Sequence, residues 1–190
     1  LKRALDVVVS IIGVIALLPL VLVLAVLIKV DSSGPVFYRQ MRVGLRGRPY
    51  MIWKFRSMRQ DAEQSGARWA SSEDPRVSRV GRWIRKWRLD ELPQLINVLK
   101  GEMSLVGPRP ERPVFVQELR NTIPYYDLRH TVRPGITGWA QTRFRYGASK
   151  EDSHVKLQYD LFYVKNLSLA LDLRIVVHTV KVMFMGEGAR

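Results

Sequence analysis

The chain has no cysteine, only three histidines, and 17 acidic residues against 31 lysines and arginines. Without cysteine there are no disulfides and no thiolate metal sites, and the redox compartment is left open. His130, His154 and His178 stand apart with no HxH or HxxxH spacing, so each reads as a packing or hydrogen-bonding residue rather than a metal ligand. The shortage of acid leaves a net charge of +14 on 190 residues. Such an excess predicts an anionic partner: nucleic acid, an anionic membrane surface or a phosphorylated molecule. The length suits one domain with a real core and room for an appendage. The first residue is Leu1 rather than Met, as expected if an upstream part has been removed.

What is present begins with a long apolar run. From Ala4 to Val30 only Asp6, Ser10, Gly13, Pro19 and Lys29 interrupt it. It is too long for a signal peptide's apolar region, and no small-residue cleavage site precedes Lys29. About 24 residues at ~1.5 Å rise would cover ~36 Å, enough for a ~30 Å hydrocarbon core. Pro19, near the middle, removes a backbone donor and clashes with the preceding turn, at about 3 kcal/mol in a helix interior. Membrane helices tolerate such breaks where other groups satisfy the freed backbone. Lys2 and Arg3 border one end and Lys29 the other, which favours both ends on the cytoplasmic side. A re-entrant helix-break-helix over residues 1–30 is therefore preferred to a straight span, with residues 31–190 as a cytosolic domain.

Asp31-Ser32-Ser33-Gly34-Pro35 ends the apolar run. Val36 to Val43 and Tyr50 to Met58 then read as a β-hairpin around Gly44–Pro49. Period 2 puts Tyr50, Ile52, Lys54 and Arg56 on one face and Met51, Trp53, Phe55 and Ser57 on the other. The second face is predicted to pack. Lys54 and Arg56, side by side on a strand, are either an ordinary basic solvent face or a phosphate clamp. Gln60 to Asp74 is polar and reads as helix plus loop. From Val80 a helical pattern carries Trp83 and Trp87 among Arg82, Arg85, Lys86 and Arg88, fit for a membrane interface or for the core.

Asp90-Glu91 follows this basic run, so two adjacent carboxylates stand within a few residues of four cations. Opposite charge keeps a carboxylate ionised, able to act as a nucleophile or to hold a divalent metal. The bland alternative is an exposed helix laced with ion pairs. Pro93 fits only a first turn, so a helix is predicted from Asp90 to Leu99, with Leu92, Leu95, Ile96 and Leu99 buried and Gly101 past its end. In Ser104–Pro110, Pro108 and Pro110 stiffen the backbone around Arg109 and reduce the entropy lost when it orders on a ligand. Arg133–Gln141 is a glycine-punctuated loop that matches neither GxGxxG nor GxxxxGK[ST]. Leu167 to Met185 could be a buried helix or one lying on a membrane surface.

Taken in order, these motifs resemble the bacterial sugar transferase family, the monotopic phosphoglycosyl transferases. The residues are Lys2-Arg3 to Asp6, Asp31–Phe37, Arg39-Gln40, Arg42-Val43-Gly44, Lys54–Met58, Leu89–Gln94, Ser104–Pro110 and Arg133–Gly138. The resemblance implies a small α/β domain, rich in helix, on a re-entrant membrane hairpin with interfacial amphipathic helices. It implies transfer of a sugar 1-phosphate from a nucleoside diphosphate sugar, with a UDP-hexose as the family default, to undecaprenyl phosphate. Mg²⁺ is the implied cofactor, and the bacterial inner membrane's cytoplasmic face the implied location. Anionic inner-leaflet lipids are implied partners, nucleic acid is not, and a homodimer is admitted.

By the same resemblance Asp90 is the nucleophile and a metal contact, and Glu91 binds metal or orients the site. Lys54, Arg56, Arg85 and Arg109 match phosphate binders, and Pro108 and Gln141 join them as substrate-binding candidates. Two departures stand out. Leu18 precedes Pro19 where many members have Ser, and Thr142–Gly147 replaces a common Val-Asn/Ser-Gly-Arg, a variant resembling exopolysaccharide-type members. The competing class is a non-catalytic module anchored to anionic lipid or nucleic acid.

Overall fold

A computed structural model describes residues 1–62, 66, 74–144 and 150–185. The first element is α1 (Lys2–Asp31), followed by the antiparallel hairpin β1 (Phe37–Val43) and β2 (Pro49–Phe55). Next come α2 (Arg79–Lys86), a 3₁₀ turn at Leu89–Glu91, α3 (Gln94–Lys100) and β3 (Ser104–Val106). The chain continues through α4 (Pro113–Thr122), a 3₁₀ segment at Tyr126–Thr131, β4 (Gly135–Thr137), α5 (Trp139–Arg143), α6 (Lys150–Lys165) and α7 (Leu169–Met185). β3 and β4 pair in parallel, so the described residues hold two small two-stranded sheets among helices. The α/β class and the hairpin expected from the sequence are present.

The helix α1 is continuous through Pro19, where the sequence predicted a break into two helices. Packing supplies the reason. Asp6, Ser10, Gly13, Val14, Leu17, Leu20, Val21, Leu24 and Ile28 are buried or half-buried, one stripe at helical spacing along the whole element. Leu24 and Ile28 join Phe55 and Ile84 in one core cluster, while Gly13 lies close to Leu95 of α3. Contacts on both sides of Pro19 hold one register and offset the lost hydrogen bond. Most of the remaining α1 side chains are exposed and apolar. The helix is long and apolar enough to cross a membrane.

Polar ties fasten both ends of α1 to the same body. Arg3 donates to the carbonyls of Val98 and Leu99 at the end of α3, at 2.6 and 3.1 Å. Asp6 accepts from the Ser104 hydroxyl and the Leu105 N–H of β3. Lys2 pairs with Asp172 of α7 at 2.6 Å. At the far end Asp31 accepts from the Val80 N–H of α2.

Two faces differ from expectation. In β2 both faces contribute a core residue: Phe55 is buried on the face expected to pack, but Ile52 on the other face is buried too, against Val98 and Met103, while Met51 is exposed. In α3 the buried positions are Gln94, Asn97 and Val98, with Ile96 exposed. The cause is the open edge of β2: Asn97 accepts from the Trp53 N–H and donates to the Met51 carbonyl, so the amide replaces a neighbouring strand. An apolar periodicity cannot reveal that demand. Trp83 is exposed, which removes the core reading for it.

Candidate active site

Arg88 adopts a left-handed conformation (φ 53°) and turns the chain out of α2 into Leu89–Glu91. Asp90 and Glu91 thereby sit in a 3₁₀ turn, with Pro93 capping α3 after it, rather than inside a helix that starts at Asp90. Both carboxylates are buried, in the wall of a cleft of about 430 Å³. Lys54, Arg85, Arg88 and Arg109 line the same cleft.

The two carboxylates are treated differently. Glu91 Oε1 accepts from Lys54 Nζ at 2.9 Å and from an Arg109 guanidinium nitrogen at 2.7 Å, and Arg88 approaches Oε2 at 3.9 Å. Burial alone would raise the Glu91 pKa, but Arg109, Lys54 and Arg88 outweigh it and hold the group well below the usual carboxylate range. Asp90, one residue away, forms no hydrogen bond or ion pair among the described residues. Burial pushes its pKa up, and Lys54 and Arg85 only partly counter this while Glu91 adds to it. The cations around Asp90 therefore do not depress it, contrary to the sequence expectation. An unpaired carboxylate facing a cationic cleft can attack an electrophile or coordinate a hard cation, whereas Glu91 is already engaged.

Lys54 points into the cleft with its ammonium paired to Glu91; burial lowers its pKa, and Glu91 counters this. Arg56 lines the cleft as well, but part of its guanidinium is engaged elsewhere. β2 ends at Phe55, so the strand alternation no longer governs it. Its Nη2 donates to the carbonyls of Ile28 and Ser32 and to the Ser32 hydroxyl, capping the end of α1. Its Nη1 is buried without a partner. Arg85 lines the cleft and makes no hydrogen bond or ion pair among the described residues. Gln141 also lines it, and its amide donates to the Ile136 carbonyl at 3.3 Å. Pro19 is exposed on α1, away from the cleft. Arg145 to Gly147 of the variant loop, and most of the polar stretch before Asp74, lie outside the described residues.

Arg109 is placed by the meeting of two loops. β3 and β4 bring Ser104–Pro110 and Arg133–Gly138 together so tightly that a Cβ on Gly135 would come within 2.1 Å of the Gly107 nitrogen, and one on Gly138 within 2.2 Å of its carbonyl. Only glycine permits that approach. The sequence pointed to neither Arg129 nor Asp160, a buried ion pair at 2.7 Å behind this loop. The seven charged residues scattered between positions 129 and 160 follow no pattern and give no sequence signal for it.

The cleft offers a magnesium-type cation few unengaged donors. Among the described residues no three His, Asp or Glu cluster. Mg²⁺ is commonly held by one or two carboxylates together with substrate phosphates. Asp90, with its oxygens unengaged in a cationic cleft, fits that manner of binding; Glu91, held by two cations, fits it less well.

The family profile described as bacterial sugar transferase matches residues 1–186. The UDP-N-acetylgalactosamine-undecaprenyl-phosphate N-acetylgalactosaminephosphotransferase of Aeromonas hydrophila is 50% identical over 190 residues, covering 100% of this chain and 45% of that protein. The UDP-glucose:undecaprenyl-phosphate glucose-1-phosphate transferase of Escherichia coli (strain K12) is 41% identical over 191 residues, covering 100% of this chain and 41% of that protein. This chain thus spans less than half the length of both. It covers 93% of the exopolysaccharide production protein PSS of Rhizobium leguminosarum bv. phaseoli, at 41% identity. With the match running from α1 to the end of α7, the chain belongs to the bacterial sugar transferase family.

Proposed function

We propose that the chain transfers a sugar 1-phosphate from a nucleoside diphosphate sugar to undecaprenyl phosphate at the cytoplasmic face of the bacterial inner membrane, initiating exopolysaccharide or glycoconjugate synthesis. The observation that carries this reading is the division between the adjacent carboxylates, one locked by two cations and the other unpaired in the cleft. The relatives named for transfer to undecaprenyl phosphate support the acceptor, and their UDP-sugar names support the donor class.

The reaction runs in two displacements. An Asp90 carboxylate oxygen attacks the sugar-bearing phosphorus, the bond from that phosphorus to the bridging oxygen breaks, and nucleoside monophosphate leaves with the bonding pair. A phosphate oxygen of the polyprenol then attacks the same phosphorus and frees Asp90. Phosphoryl transfer depends chiefly on alignment and charge neutralisation. Lys54, Arg85 and Arg109 supply cationic charge, while Glu91 fixes Lys54 and Arg109 in place. A bound Mg²⁺, held by Asp90 and donor phosphates, would add charge neutralisation. The apolar α1, tied at both ends to one body, suits an element that enters one leaflet with both of its ends on the cytoplasmic side.

The test is incubation with a panel of nucleotide sugars and undecaprenyl phosphate, followed by intact mass. A phosphosugar adduct on Asp90 is expected, and Asp90→Asn should reduce nucleoside monophosphate release by at least ~10³-fold. Undiminished turnover by that variant would refute the nucleophile. Pure anion binding, unchanged or strengthened by Asp90→Asn and with no turnover, would instead support the non-catalytic module.

A further inference from the structure

Pro108-Arg109-Pro110 poses a backbone problem. Its two prolines have no N–H, so the segment cannot be stapled by a regular ladder, yet its carbonyls are held one after another. Pro108 O accepts the Gly135 N–H at 3.0 Å. Arg109 O accepts from Arg129 Nη2 at 2.8 Å, and Pro110 O from Arg42 Nη1 at 3.2 Å. Arg129 is itself fixed: its Nε and Nη2 donate to Asp160 Oδ2 at 3.0 and 2.7 Å, and its Nη1 to the Tyr126 hydroxyl at 2.8 Å. Arg129 and Asp160 are 6% and 2% exposed. A guanidinium aimed by a carboxylate at one backbone carbonyl is rigid, and the carbonyl belongs to the residue whose side chain reaches Glu91.

We infer that Arg129, oriented by Asp160, is a positioning residue that fixes Arg109 for the donor's diphosphate and so couples α6 to the cleft. The inference rests on the proposed transferase reading for its substrate and names the support of that same site. Arg129 lines the cleft with its donors already engaged by Asp160, Tyr126 and the Arg109 carbonyl, and so acts through Arg109. Lys at this position has one nitrogen head, and cannot reach carboxylate, hydroxyl and carbonyl together as the planar fork does.

The experiment is a double-mutant cycle on the full chain in detergent, with inorganic pyrophosphate as the probe and calorimetry as the readout. Arg129→Lys should weaken pyrophosphate about tenfold when Arg109 is present and less than twofold in an Arg109→Ala background. In turnover it should raise the donor KM with kcat within about threefold. Where Arg129→Lys does not fold, Asp160→Asn takes its place in the cycle. Equal losses in both backgrounds, no loss beside native Arg109, or no pyrophosphate binding by the unaltered chain would each overturn the inference. Coupling without any nucleoside monophosphate release would remove the transferase reading and leave the positioning role standing.

Discussion

Cations are handled in opposite ways at α1 and at the cleft. Along α1, Arg3 and Arg56 donate to backbone carbonyls at helix ends, and Lys2 is paired with Asp172. At the cleft, Arg85 is left without such a partner, and Lys54 and Arg109 share one carboxylate oxygen. The residue types are the same and both regions are basic. What separates a structural cation from a ligand-binding one is whether its donors are taken by backbone carbonyls, which depends on where a helix or strand ends and not on local composition.

The strongest way to break this contrast is Glu91→Gln, which removes the anchor shared by Lys54 and Arg109. Taking one partner from a buried ion pair costs about 3–5 kcal/mol, because the remaining charge is left uncompensated. Lys54 can relieve part of that by losing its proton, since burial already lowers its pKa and Glu91 is what raises it. The variant should therefore lose roughly 10²-fold or more in kcat/KM, and its alkaline activity limb should move to lower pH. A pH–rate profile checks both. An unmoved alkaline limb would show that Lys54 does not depend on Glu91 for its charge.

Arg56→Met tests the other side of the comparison. It removes the donors to Ile28, Ser32 and the end of α1 while keeping a similar apolar stem. Unsatisfied buried acceptors cost about 1–3 kcal/mol each, so a loss of about 2 kcal/mol is expected in denaturant unfolding in detergent. The donor KM should stay within about threefold. A large rise in KM with unchanged stability would return Arg56, with its unpartnered Nη1, to the phosphate clamp read from the sequence.

Much of this was legible in the chain and some was not. The β-hairpin, the stop at Gly101 and the gathering of Lys54, Arg85, Asp90, Glu91 and Arg109 followed from strand alternation, helix-stop chemistry and motif resemblance. The course of α1 did not follow, because local proline chemistry predicts a break while long-range packing of Val14, Leu17, Leu20 and Leu24 keeps one register. The buried face of α3 was misread because Asn97 answers a strand edge that is remote in sequence. Arg129 and Asp160 were missed because an ion pair 31 residues apart has no periodic signature.

Arg85 sharpens the contrast from the cleft side. With no hydrogen bond or ion pair to lose among the described residues, Arg85→Ala should leave the unfolding midpoint nearly unchanged. It should raise the donor KM about tenfold, as expected when one phosphate contact of about 1.4 kcal/mol is removed. A fall in stability as large as that of Arg56→Met would place Arg85 among the structural cations.

His130 shows a third way to manage a basic group, which is to bury it uncharged beside a cation. It lies in the 3₁₀ segment with Arg129, its Nδ1 3.2 Å from Asp127 and its Nε2 buried without a partner. Burial, reinforced by Arg129, lowers its pKa to about 4, and Asp127 only partly opposes them. The unfolded chain protonates near ~6.5, so between that value and about 4 the unfolded state binds more protons. Stability contributed by neutral His130 is thus fully present above pH ~6.5 and is lost as pH falls through the window. Roughly 1–2 kcal/mol is expected after allowance for solvent screening. His130→Gln should flatten the loss between pH 7 and pH 5 in urea unfolding, relative to the unaltered chain. Identical slopes for the two proteins would mean that the acid sensitivity resides in the carboxylates and that His130 is protonated as readily when folded as when unfolded.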